Sequence, residues 1–314
     1  MTATTDAGPL DLAAPWGGTS RFADLDGPVH WVEFGGPPEP TGAPPVVLVH
    51  GLGGSHLNWV GIGSALARTH RVVALDLAGF GLTPAHGRST SVRANADLLG
   101  RFVSEVLGEP AVLVGNSMGG MISLLLAGHR PELVNSLVLV DPALPTPNQR
   151  PDRQVLVEFM IYATPVVGEA YLARATKRYT DRQRVMSTVA ICFADQALVD
   201  TEVVDADVAL TAYRRTQLGQ EKAFLGAARS LVRVLRSGGR YPAHIRGIDK
   251  PVLLLHGELD KLVPVAAARL TAADNPSWQT EFLPGVGHTP QLERPDLVLA
   301  RLAPWLSQLP ATSS

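Results

Sequence analysis

Five short runs are apolar at consecutive positions: PVVLVH (Pro45–His50), RVVALD (Arg71–Asp76), AVLVGN (Ala111–Asn116), SLVLVD (Ser136–Asp141) and PVLLLH (Pro251–His256). They do not alternate with polar residues. As strands they would be buried on both faces, the condition of a parallel sheet covered by helices on each side. Between and after them, Leu57–Thr69, Val92–Leu107, Ser117–Gly128, Val265–Ala273 and Pro295–Leu306 repeat apolar residues at helical spacing. The alternation predicts an α/β fold with a mostly parallel central sheet and helices on both faces. Upstream, Arg21–Leu25 and Val29–Phe34 flank the turn pair Asp26-Gly27, which predicts an antiparallel hairpin at the opening edge.

The rhythm stops after Asp141. Pro142, Pro145, Pro147 and Pro151 end the strand, and about a hundred residues pass before the next such run, too long for a plain connection. Within that stretch Val155, Leu156, Phe159, Met160 and Ala163 share one helical face, whereas Ala170–Arg184 is rich in Arg, Lys and Tyr, as a solvated helix face would be. The expected organisation is a tail over residues 1–19, a core over 20–141 and 221–314, and a helical cap over 142–220. The Pro/Gly-rich Gly35–Pro45 reads as a surface loop. Pro110–Gly128 is uncharged over nearly the length of a membrane span, but Gly115, Asn116, Ser117, Gly119 and Gly120 split it into a strand and a helix.

Charge and cysteine content narrow the partners. Lys and Arg number 27 against 29 Asp and Glu, a net charge of -2, so there is no overall basic field to attract a nucleic acid. The single cysteine, Cys192, can form no intrachain disulfide and has no neighbours at metal-ligand spacing. The opening MTATTDAGPLDLAAPW has neither a basic start nor an unbroken apolar stretch, which points away from a secretory signal and toward a cytoplasmic protein without stable membrane insertion. No metal or cofactor is expected, and nothing in the sequence speaks to oligomeric state.

The chemistry gathers at strand ends. Gly115-Asn116-Ser117-Met118-Gly119 is a GxSxG element between a buried strand and an apolar helix, the setting of a nucleophile elbow. Such a turn lifts the Ser117 hydroxyl above the sheet and aims the first N–H groups of the helix at charge developing beside it. A serine hydroxyl needs a base, and the base an orienting acid. Of nine histidines, His288 follows the final strand-like segment Thr280–Pro284 in a loop able to reach the elbow, whereas His50 and His256 end strands before Gly and read as structural. Asp260 in HGELDKLVP is the favoured acid, with Asp141 its rival and Glu258 too close to its strand end. The order Ser, Asp, His is the one this fold class imposes.

With HGLGG (His50–Gly54), DLAGFGLT (Asp76–Thr83), GNSMGG (Gly115–Gly120), HGELDKLVP (His256–Pro264) and GVGHTPQLERP (Gly285–Pro295) in order, the chain resembles the α/β-hydrolase fold superfamily over about residues 20–310. The resemblance implies Ser117 as nucleophile, Asp260 as acid, His288 as base and the backbone N–H groups of Leu52 and Met118 as the oxyanion hole. It assigns Asp76, Gly79 and Gly81 to a structural loop. A serine nucleophile excludes dehalogenase and epoxide-hydrolase chemistry, because an alkylated serine is an ether with no carbonyl for water to attack. The expected function is hydrolysis of small or medium apolar carboxylic esters through an acyl-enzyme. The expected substrate contacts are Phe159 and Met160, with Ile161, Cys192 and Phe193 considered beside them. Two alternatives stand. One is a carbon-carbon hydrolase of aromatic ring-cleavage products, suggested by GNSMGG, although HGLGGSHLNW offers only Asn58 and Trp59 to grip a substrate carboxylate. The other is a ligand-sensing receptor on the same fold with slow turnover.

Overall fold

Apolar side chains at consecutive strand positions need partners above and below, and the fold supplies both. The computed structural model describes residues 5–6, 10–38, 42–145 and 152–309. Pro147 and Pro151, part of the expected tail and part of the Gly35–Pro45 loop lie outside them. Among the described residues nine strands, β1 (Thr5–Asp6), β2 (Thr19–Asp24), β3 (Pro28–Gly35), β4 (Val46–Val49), β5 (Val72–Leu75), β6 (Ala111–Asn116), β7 (Val134–Val140), β8 (Val252–Gly257) and β9 (Gln279–Leu283), form one sheet. Its order is β1-β2-β3-β5-β4-β6-β7-β8-β9, antiparallel from β1 to the β3/β5 pair and parallel beyond. The opening hairpin turns at Asp26 and Gly27, both at positive φ, and the Gly27 amide donates to Asp24 Oδ1.

Within β4 the side chains divide strictly. Val47 and Val49 join one core with α2 (Val92–Arg101) and α3 (Met118–His129). Val46 and Leu48 join the other, with α1 (Val60–Leu66) and the carboxy-terminal helix Pro295–Leu306. This is the two-faced burial that the unbroken apolar runs require. The segment Leu57–Thr69 is not one helix: a 3-10 turn, His56–Trp59, precedes α1 because Ser55 and Asn58 form a reciprocal capping box. Likewise α2 runs on into a π-helical turn, Phe102–Leu107, closed by Gly108 at φ 78°.

Residues 1–19 are not wholly a tail. Thr5–Asp6 pairs with β2, Ala13 is fully buried, and Ser64 Oγ donates to the Trp16 carbonyl, so the segment closes the sheet edge and one end of α1. Among the described residues between β7 and β8 run six α-helices: α4 (Arg153–Ala163), α5 (Val167–Arg178), α6 (Asp181–Cys192), α7 (Thr201–Arg215), α8 (Gln220–Leu235) and α9 (Arg240–Arg246). Of these, α8 packs on α2 and α9 on α3, while α4 and α5 lean on α8 and α6 on α7. After β8 come α10 (Val265–Asp274), α11 (Pro290–Glu293) and α12 (Pro295–Leu306). Pro110–Gly128 resolves into β6 and α3, and among the described residues no single helix is long and apolar enough to cross a membrane.

Candidate active site

In an open α/β sheet, ligands bind beyond the carboxyl ends of the strands where the strand order reverses. Here the order turns at β4, and Ser117 stands just beyond neighbouring β6. Ser117 has φ 54° and ψ −116°, a conformation that costs a non-glycine residue about 1–3 kcal/mol. Backbone bonds hold it there: its N–H donates to Val140 O at 3.1 Å, and its carbonyl accepts from Ala143 N at 2.9 Å. The flanking glycines are required by close approach. A Cβ on Gly115 would fall 2.6 Å from the Gly119 carbonyl carbon, and one on Gly119 would fall 2.1 Å from Val49 O. Met118 opens α3, so its N–H belongs to the first turn, where helical amides have no intrahelical acceptor. Gly51 backs directly onto Ser117, a Cβ there falling 3.1 Å from the Ser117 Cβ, and Leu52 follows it.

Asp260 and His288 are brought together: His288 Nδ1 donates to Asp260 Oδ2 at 2.7 Å, and both are buried. The other oxygen of Asp260 accepts from Leu262 N at 2.7 Å and Val263 N at 3.0 Å. Burial alone would raise the Asp260 pKa, but the His288 ring, together with His256 and the Val263 amide, outweighs it and holds the carboxyl below its ordinary range. With Nδ1 donating to a carboxylate, the acceptor of a neutral ring is Nε2. Ser117 Oγ is not hydrogen-bonded to that nitrogen. The two residues are joined through Asn116, whose Nδ2 donates to His288 O at 3.0 Å.

The rival acid sits behind this pair. Asp141, at φ 45° beyond β7, accepts from Gly257 N at 2.9 Å through Oδ1, while its Oδ2 is buried without a partner among the described residues. Burial, and then the charge of Asp260, push its pKa well above the ordinary carboxylate range. His256 donates from Nε2 to Val263 O at 2.9 Å, a hydrogen-bonded structural role, and lies 3.6 Å from both carboxylates, so it borders the site. Glu258 faces solvent and pairs with Arg269.

A cavity of about 1230 Å³ opens over Ser117. All five residues of the predicted α4 face, Val155, Leu156, Phe159, Met160 and Ala163, line it, with Leu231 and Ile245 opposite. Met160 is 56% exposed, so it forms rim and not core. Three side chains considered as substrate contacts are elsewhere. Ile161 borders a shallow depression beside Asp152 and Tyr171. Phe193 is buried, and Cys192 meets the site through its backbone, its carbonyl accepting from His288 N at 2.6 Å. Asn58 accepts from Ser55 N through its Oδ1, and Trp59 is fully buried, so the indole is not open to a substrate carboxylate.

Sequence reasoning missed a second cluster. The buried Asp76 accepts from His30 Nδ1 at 2.7 Å, His56 Nδ1 at 2.9 Å, His56 N at 2.7 Å and Leu82 N at 2.8 Å, which fixes the loops after β4 and β5. Burial would raise its pKa, but the two rings hold it well below the usual range. The ligand-type atoms of His30, His56 and Asp76, like those of Asp141, His256 and Asp260, lie within 4.8 Å of one another. In the first set Asp76 Oδ2 already accepts from both Nδ1 atoms and His30 Nε2 pairs with Ser20 Oγ, leaving only His56 Nε2 buried without a partner among the described residues, which describes a structural knot better than an open coordination site.

A family profile described as alpha/beta hydrolase fold matches residues 44–295. The chain is 30% identical over 294 residues to the dihydrolipoyllysine-residue acetyltransferase component of the acetoin cleaving system from Cupriavidus necator, covering 93% of this chain and 69% of that one. It is 27% identical over 259 residues to the 2-hydroxy-6-oxo-6-(2'-aminophenyl)hexa-2,4-dienoic acid hydrolase of Metapseudomonas resinovorans, covering 80% of each. Among solved structures, a thermophilic esterase from Thermogutta terrifontis superposes with a TM-score of 0.68 at 21% identity, covering 92% of this chain and 97% of that one, a likeness of fold.

Proposed function

The chain belongs to the α/β hydrolase fold family, and from that premise we propose that it hydrolyses carboxylic esters of small to medium apolar acids through an acyl-enzyme on Ser117. The observation that carries the reading is the conjunction of a strained serine at the end of β6, a buried Asp260–His288 pair tied to it through Asn116, and an apolar cavity opening on the serine. In the proposed sequence, the ester carbonyl lies beside Ser117 and His288 Nε2 accepts the hydroxyl proton as Oγ attacks. The Leu52 and Met118 N–H groups receive the oxyanion, and Asp260 stabilises the imidazolium. His288 returns the proton to the leaving alcohol. Water, activated by the same ring, then cleaves the acyl-serine and restores the hydroxyl.

The helices α4–α7 serve as a cap in this reading, with Phe159 and Met160 against the acyl group. Its test is labelling by a fluorophosphonate with mass mapping, joined to a panel of p-nitrophenyl esters. One adduct on Ser117 and turnover of the panel are expected. An adduct elsewhere, or tight ligand binding with negligible turnover, would sink the esterase reading.

A second reading is favoured by one observation. Arg236 and Arg246 line the same cavity as Ser117, and a relative at 27% identity is named for hydrolysing a dienoic acid, whose carboxylate those side chains could meet. Decay of a coloured ring-cleavage product at rates above those of the esters would select carbon-carbon hydrolysis.

A further inference from the structure

Glu293, the last residue of α11, is 2% exposed, and no cation pairs with it among the described residues. A carboxylate taken out of water without a counter-ion needs several strong donors. Backbone supplies all three seen here. Ala194 N and Asp195 N donate to Oε1 at 2.9 and 2.8 Å, and Gly287 N donates to Oε2 at 2.8 Å. The first two amides belong to the chain leaving α6, inside the insertion, and the third immediately precedes His288. A direct bond from His288 N to Cys192 O, 2.6 Å long, runs beside them. The junction has no spare room: a Cβ on Gly287 would fall 2.3 Å from Cys192 O and 2.7 Å from Ala194 N.

We propose that Glu293 is a positioning residue, which bolts the His288 loop to the segment 192–195 and so holds the imidazole in register with Ser117. The inference rests on the reading of His288 as the base and extends it. His288 is held at its N–H by Cys192, at its carbonyl by Asn116 and at Nδ1 by Asp260, and Glu293 fixes the segment that provides the first of these. Proton transfer depends steeply on placement, and a misplacement of about 1 Å can cost on the order of a hundredfold in rate. Substrate binding draws on a different surface, since none of these junction residues lines the cavity. The clamp therefore acts on turnover and leaves affinity alone. It also ties the end of α6 to the catalytic loop, so any motion of the cap must hinge elsewhere.

Three measurements test this on the full-length protein. In the wild type, the amides of Ala194, Asp195, Gly287 and His288 should exchange with deuterium as slowly as helix interiors; exchange at the rate of exposed loops would overturn the clamp. Glu293→Gln keeps an oxygen for Ala194 and Asp195 but sets an NH₂ against the Gly287 N–H. Its kcat and its fluorophosphonate labelling rate should fall roughly ten- to a hundredfold, with KM and the Kd of a carboxylic acid product within about twofold. Gly287→Ala attacks the junction from the other side and should give the same split. A wild-type kcat in both variants, or a loss confined to KM, would refute the assignment, and if either variant loses its fold the exchange pattern decides. Protected amides in a protein that fluorophosphonate does not label would instead count against the serine-hydrolase reading.

Discussion

Replacing Asp260 with Asn should cost far more than the same change at Asp141, and the structure says why. One oxygen of Asp260 accepts two loop amides, at 2.7 and 3.0 Å. An asparagine must keep its own oxygen there, because turning it would oppose an NH₂ to two N–H donors. The NH₂ then faces His288 Nδ1, which can only accept, so the ring proton moves to Nε2. That tautomer cannot take a proton from Ser117. Restoring the other tautomer leaves buried donors facing each other, at about 1–3 kcal/mol apiece, and the anion that stabilises the imidazolium is gone as well. A fall in kcat of about 10³–10⁴, or roughly 4–5.5 kcal/mol, follows. At Asp141 the carboxyl is already driven toward its neutral form, and asparagine keeps the oxygen that accepts Gly257 N. The loss there should stay within about threefold. Steady-state kinetics on one p-nitrophenyl ester, with fluorophosphonate inactivation rates, reads both variants. A larger loss in Asp141→Asn would move the acid to the end of β7.

The other expectations are more briefly drawn. Ser117→Ala should abolish labelling and reduce turnover roughly a thousandfold or more, and His288→Ala should leave the serine unlabelled; normal labelling of the latter would call for another base. Met160→Ser, at an exposed rim position, should raise KM for octanoyl esters more than for acetyl esters, each lost methylene contact being worth up to about 0.8 kcal/mol, with melting unchanged. Equal effects on both esters would remove Met160 from the acyl site. Asp207 on α7 is pushed up to about 6 by burial, so the folded state binds its proton more tightly than the unfolded chain and stability falls as pH rises from about 4 to 6. Asp207→Asn should flatten that part of the melting curve against pH, and a slope unchanged by the substitution would contradict it. Asp76 has the opposite sign. Its folded pKa is depressed, so it stabilises above the ordinary carboxylate range, and Asp76→Ala, which strands two buried histidines, should cost about 3–5 kcal/mol in denaturant titration at pH 7.

The sheet was legible because burial on both faces leaves a signature that a single strand carries by itself, as Val46 to Val49 do in sending alternate side chains into two cores. The breaks in helices were not, since the turn before α1 comes from a hydrogen bond between Ser55 and Asn58, and hydropathy does not register it. Ser117, Asp260 and His288 could be proposed from sequence because their residue types stand at particular strand ends whose adjacency follows from the topology, and the structure does join Asp260 to His288. What escaped are groups whose partners are backbone atoms or distant side chains. Nothing in the sequence around Glu293 says that Ala194 and Asp195 will present their amides to it. Nor does the spacing of His30, His56 and Asp76 betray that two rings share one carboxylate.

Strain and support meet at the same strand ends. Of the five non-glycine residues at positive φ among the described residues, two are Ser117 and Asp141, the residues that follow the neighbouring strands β6 and β7. Each such conformation costs about 1–3 kcal/mol, so it persists only where its surroundings over-determine it. Here they do so reciprocally: Ser117 N donates to Val140 O, Ala143 N donates to Ser117 O, and Asp141 is held in turn by its N–H to Leu255 O and by the Gly257 amide on its carboxyl. The Asp141 carboxyl, pushed by burial above the ordinary carboxylate range, thus anchors the turn after β7 through the Gly257 amide. The acid at the end of β7 is therefore placed to support the shape of the site, whereas Asp260, bonded to the His288 ring, is the stronger candidate for its chemistry.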